Sequence, residues 1–428
     1  MPSQQDSNAI AYAEVINQLS HMGAVAYFKV VEELLPPFMI ETEQALEAWA
    51  ERCAGSRIIA VDTESDSFHH YREKVCLVQM TVDGVDAIID PLATRTMEPL
   101  REIFEDPKYV KVFHDAVYDL ICLRRDFDLH LCGLFDTMVA SRLLGKRTFG
   151  LAPILDQYFG FKADKRMQRS DWAQRPLSGE QIQYARFDTH FLPQLTDRLQ
   201  AELETAGRWL WAREEFTRLP DVAARITPRA VGIDPDGFWR VKGIRGMSPE
   251  GLGRVRALYI ARERIAERLD RPAFKVFGDH VLVEIAGSTP SPDSLRPRPG
   301  LRRAGVDRFG KEIAIALEAA KPVFGKAPPG AVKRRRSGRF LDPDARERYE
   351  DLRTLRREIA DTIGLEPEVA LGNAVLEELA RKPRVERSEL EDHPDLVGWR
   401  SDIFVGPIHK LLMTGTARAD TPVTSKSS

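Results

Sequence analysis

The stretch Arg57-Ile58-Ile59-Ala60-Val61-Asp62-Thr63-Glu64 decides the fold. Its β-branched run reads as a strand from Arg57 to Asp62, and the run closes on acid. Alternation along a strand sends Asp62 and Glu64 to one face. Two carboxylates held side by side repel each other unless positive charge sits between them. A divalent cation such as Mg²⁺ or Mn²⁺, which prefers oxygen ligands, meets that need. Taken alone, the tripeptide reads more readily as a strand end carrying two solvated acids.

Working outward, Phe38-Met39-Ile40 reads as a short strand, and Thr42 caps a helix that stops near Gly55. Val75 to Val82 and Ala87 to Asp90 read as strands joined by the hairpin turn Asp83-Gly84. A helix is expected over about 95–106, a strand over Lys111–His114 and a helix over Ala116–Arg125. From Thr137 onward the pattern is mostly helical. Strands first and helices after describe an α/β sheet covered by helices.

Past about residue 205 the strand pattern vanishes. Ser248-Pro249-Glu250 starts a helix that runs to about Leu269. Two Pro/Arg-rich stretches, Thr289 to Arg303 and Lys326 to Arg339, read as connections. Asp342-Pro343 opens a long helix to about Ile363, and a second is expected from about Glu366 to Ala380. Each of the two helical stretches ends in Leu/Glu/Ala turns before a proline, which hints at an internal repeat of about 95 residues.

The chain has 428 residues, enough for roughly three domains. Hydrophobic residues make 43% and charged residues 30%, which excludes a disordered or low-complexity protein. No window approaches the roughly 20 uninterrupted apolar residues of a membrane helix. Residues 1–6 lack a basic start followed by an apolar run, so a signal peptide is not expected. The expectation is a cytoplasmic protein with no membrane contact. The four cysteines (Cys53, Cys76, Cys122, Cys132) show no metal-binding spacing and are expected to be reduced and buried. The net charge of −3 divides unevenly, −9 over residues 1–200 and +6 over 201–428. That asymmetry is compatible with an acidic catalytic half and a half that contacts nucleic acid.

Two further groups of residues bear on chemistry. Asp115 and Asp119 stand four apart at the start of the helix after the 111–114 strand, and either can face inward. Tyr184 and Asp188 share a helical face at i, i+4, partly apolar through Ile182, Ala185 and Phe187. In chain order the acids form one constellation. Four carboxylates are what two divalent ions about 3.5–4 Å apart require to clamp the attacking and leaving oxygens of a phosphodiester. Tyr184 stands where it can orient the attacking water.

At this point the sequence resembles the DEDDy 3′–5′ exonucleases, and among them the ribonuclease D family. The resemblance rests on Val61-Asp62-Thr63-Glu64, Glu73 to Gln79, Phe113-His114-Asp115-Ala116-Val117-Tyr118-Asp119-Leu120, Phe135-Asp136-Thr137 and Tyr184-Ala185-Arg186-Phe187-Asp188. Ser170-Asp171-Trp172-Ala173-Gln174-Arg175-Pro176-Leu177-Ser178 is also typical of that family. It implies Asp62, Glu64, Asp119 and Asp188 as metal ligands and Tyr184 as the water-orienting residue, and so selects Asp119 over Asp115. The stretch from Trp239 to Pro272 is similar to the HRDC domain that follows the nuclease in this family.

The resemblance implies an α/β ribonuclease H-like exonuclease domain, a mixed sheet flanked by helices, followed by one or two all-α HRDC helical-bundle domains. The expected division is an N-terminal extension 1–36, exonuclease 37–205, HRDC 206–310, linker 311–340, a divergent HRDC-like domain 341–420 and a tail 421–428. The implied activity is release of nucleoside 5′-monophosphates from RNA 3′ ends with two Mg²⁺ or Mn²⁺ ions. The implied substrate is structured precursor RNA with a free 3′ end, such as tRNA, and the implied state is a monomer. Ser65 stands where many family members carry an aromatic residue, near the terminal nucleotide, and His114 is a further candidate contact. Lys242, Arg245, Arg254, Arg256 and Arg262 are candidate backbone contacts, because phosphate contacts dominate affinity. The competing readings are a DNA 3′–5′ exonuclease of the same fold and an inactive nucleic-acid-binding protein. The absence of a G-x-x-x-x-G-K-[ST] loop argues against a helicase.

Overall fold

The computed structural model describes residues 35–226, 232–287, 300–301, 303–325 and 341–419. The expectations for residues 1–34, most of the two Pro/Arg-rich stretches and the tail lie outside the described residues.

A six-stranded mixed sheet runs in the order β1-β4-β3-β2-β5-β6. Its strands are β1 (Phe38–Ile40), β2 (Ile58–Ser65), β3 (Val75–Val82), β4 (Val85–Ile89), β5 (Val110–Phe113) and β6 (Leu134–Asp136). β3 is antiparallel to β2 and β4, whereas β1–β4, β2–β5 and β5–β6 are parallel. Asp83 and Gly84 both have positive φ and close the β3–β4 hairpin, as that dipeptide favours. β2 continues to Ser65, three residues beyond the expected end at Asp62. A register shift falls between Glu64 and Ser65, which pairs with Val75, a local irregularity of the kind that re-aims side chains beside sites.

The helices that matter here are α1 (Glu43–Ala54), α2 (Val117–Phe127), α3 (Thr137–Leu143), α4 (Gly179–His190), α5 (Leu192–Thr205) and α6 (Trp209–Ala224). The helix expected over 95–106 is instead a 3₁₀ turn at Glu98–Leu100, where Pro99 intervenes, followed by a short helix at Arg101–Glu105. Ser178 caps α4 in a capping box with Gln181, which fixes where that helix begins. The α6 helix lies on the far side of the boundary expected at 205, yet Ala212, Phe216 and Leu219 pack into the core beneath the sheet. Phe216 sits 4.7 Å from the Phe135 ring.

Two helical modules follow. The first contains α7 (Pro249–Arg268), α8 (Ala273–Val276), α9 (Asp279–Gly287) and α10 (Arg303–Glu318) around its own core of Phe238, Leu258, Phe277, Leu282 and Ile313. The α10 helix runs through residue 310, where a linker was expected, because its apolar side completes this core. The second contains α11 (Pro343–Ile363), α12 (Pro367–Ala370), α13 (Asn373–Ala380) and α14 (Gly406–Ala419). The single helix expected from 366 to 380 is broken at Leu371-Gly372, both extended. Arg356 holds the Leu371 carbonyl at 2.8 Å, which fixes the break.

The two modules repeat each other with an offset of 94 residues. Arg262 Nη1 donates to Phe277 O and Asp279 Oδ1, and Arg356 Nη1 donates to Leu371 O and Asn373 Oδ1. Arg254 Nε donates to Ala286 O, and Arg348 Nε to Ala380 O. A buried guanidinium that ties one helix to oxygens of the next turn is a costly device, and in both modules its Nε is left without a partner, so its recurrence in one register marks one design used twice.

Both modules dock on the nuclease. The second packs on α6, where the Trp211 and Trp399 rings stack at 4.6 Å and Glu215 takes Arg400. Gly398 has φ +59°, and a Cβ there would meet Glu214 Oε2 at 2.0 Å, so only glycine lets Glu214 reach the Trp399 N–H. The first module holds the loop after β2: Tyr71 donates to Glu263 at 3.0 Å, His70 meets Asp270 at 2.7 Å and Arg72 meets Glu267 at 2.6 Å.

The four cysteines are free. Cys53, Cys76 and Cys122 are buried and their thiols are pushed up to about 12, while Cys132 is only half-buried, against expectation.

Candidate active site

Asp62 and Glu64 project from one face of β2, as a two-residue period requires. The α4 helix covers that same face, and its Asp188 meets them. One oxygen from each of Asp62, Glu64 and Asp188 lies within 4.8 Å of the others. Thr63 points to the opposite face, and its hydroxyl donates to Asp119 Oδ1 at 2.5 Å. Asp119 is therefore brought in from the other side of the strand, in the first turn of α2, close to the three but not within their cluster.

The turn before α2 is set by Asp136. Its carboxylate accepts from Ala116 N at 2.8 Å and from Met138 N at 2.8 Å, tying the starts of α2 and α3 together. Asp115 takes φ +70° in that turn and is left exposed, while Asp119 is buried. This is the physical reason that Asp119, not Asp115, reaches the site.

Burial, reinforced by the other acids, holds all four carboxyls well above the carboxylate range. Asp62 and Asp119 respond chiefly to burial and then to a neighbouring aspartate, and Glu64 to burial and then to Asp62. Asp188 is pushed up to about 8 by burial and Asp119. Four acids that raise one another call for a cation, and the donor set is all oxygen, which suits Mg²⁺ or Mn²⁺. Asp62, Glu64 and Asp188 fit such an ion.

Tyr184 lies one turn before Asp188 on α4. Burial and the Asp188 charge hold its hydroxyl above its usual value, so it is protonated at neutral pH. Its ring lies 5.8 Å from Trp172, a fully buried residue. Arg175 fastens that segment to the sheet through Trp172 O at 2.7 Å, Cys76 O at 3.0 Å and Asp90 at 2.5 Å.

The remaining candidates fare differently. Ser65 donates to Glu73 Oε1 at 3.0 Å, beside Tyr118, whose hydroxyl bonds the same oxygen. His114 Nδ1 bonds Thr137 Oγ1, whose own hydrogen goes to Phe113 O, so Nδ1 carries the proton. Burial pulls His114 down to about 4, so it brings no positive charge to a phosphate. Arg262 is corrected: it is buried and spent on Phe277 O and Asp279 within its own module. Arg254 is tied to Ala286 O at 2.6 Å and Arg256 to Pro235 O at 3.3 Å. Lys242 and Arg245 are exposed.

Sequence reasoning placed Thr63, Asp136 and Gln79 in motifs but gave them no role of their own; the buried Gln79 on β3 pairs with Asp62 on β2. Cross-strand pairing would have found Gln79, but the register is a tertiary fact.

Residues 37–204 match a family described as 3′-5′ exonuclease, and residues 251–317 match the HRDC domain family. Ribonuclease D of Acidiphilium cryptum is 31% identical over 378 residues, covering 86% of this chain and 91% of that protein. Exosome complex exonuclease RRP6 of Saccharomyces cerevisiae is 34% identical over 266 residues, 60% of this chain. The match spans only 36% of that longer protein. The crystal structure of Escherichia coli RNase D superposes with a TM-score of 0.67 at 23% identity, covering 89% of this chain and 99% of that one, so the fold is shared. With these matches spanning the exonuclease site and the helical modules, the chain belongs to the ribonuclease D family.

Proposed function

We propose that this protein is a 3′–5′ exoribonuclease that hydrolyses the terminal phosphodiester of RNA and releases nucleoside 5′-monophosphates. The observation that carries the reading is the convergence of Asp62, Glu64 and Asp188 from two elements onto one point, with Asp119 and Tyr184 beside it. Two Mg²⁺ or Mn²⁺ ions held there would lower the pKa of water and stabilise charge on the transferring phosphate. Asp62, Glu64 and Asp188 would hold one ion, with Asp119 completing the second position. Tyr184, kept protonated, accepts from or donates to the attacking water and orients it in line. Thr63 holds Asp119 in place, and Trp172 limits where Tyr184 can swing.

Residues 37–226 form the catalytic unit in this reading, with HRDC domains at 232–325 and 341–419, the second supported by the 94-residue repeat of its buried arginine contacts. The enzyme would be a cytoplasmic monomer acting on structured precursor RNA such as tRNA. Among the described residues no helix is long and apolar enough to cross a membrane.

The test is a 3′-tailed single-stranded RNA incubated with Mn²⁺, with and without EDTA, alongside Asp188→Ala. The expected result is stepwise 3′ shortening that needs both the metal and Asp188. Bound but intact RNA would assign a binding protein on a nuclease scaffold. Equal shortening of a matched DNA would assign a nuclease that does not read the 2′-hydroxyl.

A further inference from the structure

The internal repeat exposes an asymmetry. In the first module, the groove between α7 and α8 is filled by the nuclease. Tyr71 enters it and donates to Glu263, and Phe68 packs edge-on against Phe274 at 6.4 Å. Among the described residues, the groove at the same place in the second module, 94 residues on, is open. It is a cavity of about 260 Å³ lined by Arg353, Arg356, Arg357, Glu366, Pro367 and Glu368. Arg357 stands where Glu263 stands in the first module, and Glu368 where Phe274 stands. The nuclease comes only as far as Gly364, against which Gly145 packs, and Arg208 bonds Ile363 O beside it.

The change of lining changes the chemistry. A wall whose Glu263 takes a tyrosine hydroxyl has gained two guanidiniums, Arg353 and Arg357, which present planar donors suited to phosphate oxygens. Arg356 is nine-tenths buried and fixed by Leu371 O and Asn373, so it is preorganised. Arg353 bonds the exposed Glu350, a surface pair that a stronger anion displaces at little cost. Of the two acids, Glu368 is engaged by Asn373 at 2.8 Å, and Glu366 remains on the wall. The loop after Gly145 continues to Phe149, whose backbone lies against His114 beside the acidic site.

We propose that this open groove of the second helical module is a docking pocket for a phosphodiester of the RNA substrate upstream of its 3′ end. The inference rests on the exoribonuclease reading. It assigns Arg353 and Arg357 as RNA contacts, distinct from the arginines of the first module.

The test uses the full-length chain and two RNAs, a 3′-tailed strand of about 20 nucleotides and a tetranucleotide. Arg353→Ala/Arg357→Ala is compared with Arg387→Ala, an exposed arginine of the same module paired with Glu391. The pocket variant is expected to weaken affinity for the long RNA about five- to tenfold. Its log–log salt slope should fall by about 1 to 2, with tetranucleotide hydrolysis unchanged. An unchanged affinity and slope, or a loss equal to that of Arg387→Ala, overturns the pocket. Equal loss on the tetranucleotide also overturns it, because the effect is then on the catalytic site. Inorganic phosphate at constant ionic strength separates the sources: competition at micromolar phosphate assigns the pocket to a small anion and removes RNA. If the wild-type chain neither binds nor shortens either RNA, the exoribonuclease reading itself fails, a result distinct from these.

Discussion

Asp86 on β4 accepts from Arg186 on α4 at 2.6 Å, and both side chains are fully buried. His190, one turn further along α4, bonds the same carboxylate at 2.8 Å, and Thr81 adds a third contact at 2.8 Å. This cluster sets the rotation of α4 about its axis. Asp188 lies between Arg186 and His190, so the rotation decides whether it faces β2. The Arg186 and His190 partners hold Asp86 below the usual carboxylate range despite its burial. Breaking the pair leaves an uncompensated buried charge, so Arg186→Met is expected to cost about 3–5 kcal/mol in urea denaturation. A loss under about 1 kcal/mol would show that the cluster does not anchor the helix.

In the proposed mechanism the Tyr184 hydroxyl, held protonated, orients the attacking water. Tyr184→Phe keeps the ring against Trp172 and removes only that hydroxyl. Its kcat is expected to fall about 10²-fold with little change in KM. A full-rate Phe variant would leave Tyr184 with a packing role alone. Asp62→Asn is expected to be the more severe change, with metal affinity lost as well as turnover.

The acid cluster also links stability to pH. Native Asp188 keeps its proton up to about 8, whereas the unfolded chain releases it near 3.8. The native state therefore binds more protons between those values. Metal-free stability is highest at the acid end of that window and falls as pH rises through it. In EDTA, Tm is expected to drop from pH 5 to pH 8, and Mn²⁺ is expected to restore it by replacing protons. Asp188→Asn should flatten the slope in EDTA. A metal-free Tm that climbs across the window contradicts the assignment.

The second module is held to the nuclease through the Trp211–Trp399 stack. Trp399 is 3% exposed and donates its indole N–H to Glu215 at 3.1 Å. Trp399→Ala is expected to cost about 3–5 kcal/mol. Limited proteolysis should then cut between the nuclease and residue 341 faster than in the wild type. An unchanged digestion pattern would mean that the remaining contacts, Arg218 with Asp395 among them, suffice.

Much of the site is written in local periods. Asp62 and Glu64 share a face because a strand alternates, and Tyr184 and Asp188 share one because a helix repeats at i, i+4. The Asp83-Gly84 turn and the Thr42 cap carry their own backbone chemistry and fall where expected. The choice between Asp115 and Asp119 is not local. It is made by Asp136, some twenty residues on, whose carboxylate holds the turn that exposes one and buries the other.

Arg262 shows the limit most plainly. Read along the chain, it is one more arginine on a charged helix and a candidate for phosphate. In the folded protein it is buried, its Nη1 spent on Phe277 O and Asp279 Oδ1 at the start of the following helix. Its counterpart Arg356 repeats the arrangement, so the repeat hinted at by proline and Leu/Glu/Ala turns becomes a register of 94 residues.

The sequence by itself determined most of the elements, the Asp62–Glu64 and Tyr184–Asp188 pairs and the motifs of the family resemblance, since each depends on residues a few positions apart. Tertiary structure decided which arginines are free for solvent, where the helical modules sit and which groove is filled. Those outcomes depend on partners tens to hundreds of residues away, as when Tyr71 closes on Glu263 across 192 positions. Burial and pairing of that kind are set by packing, which no local pattern encodes.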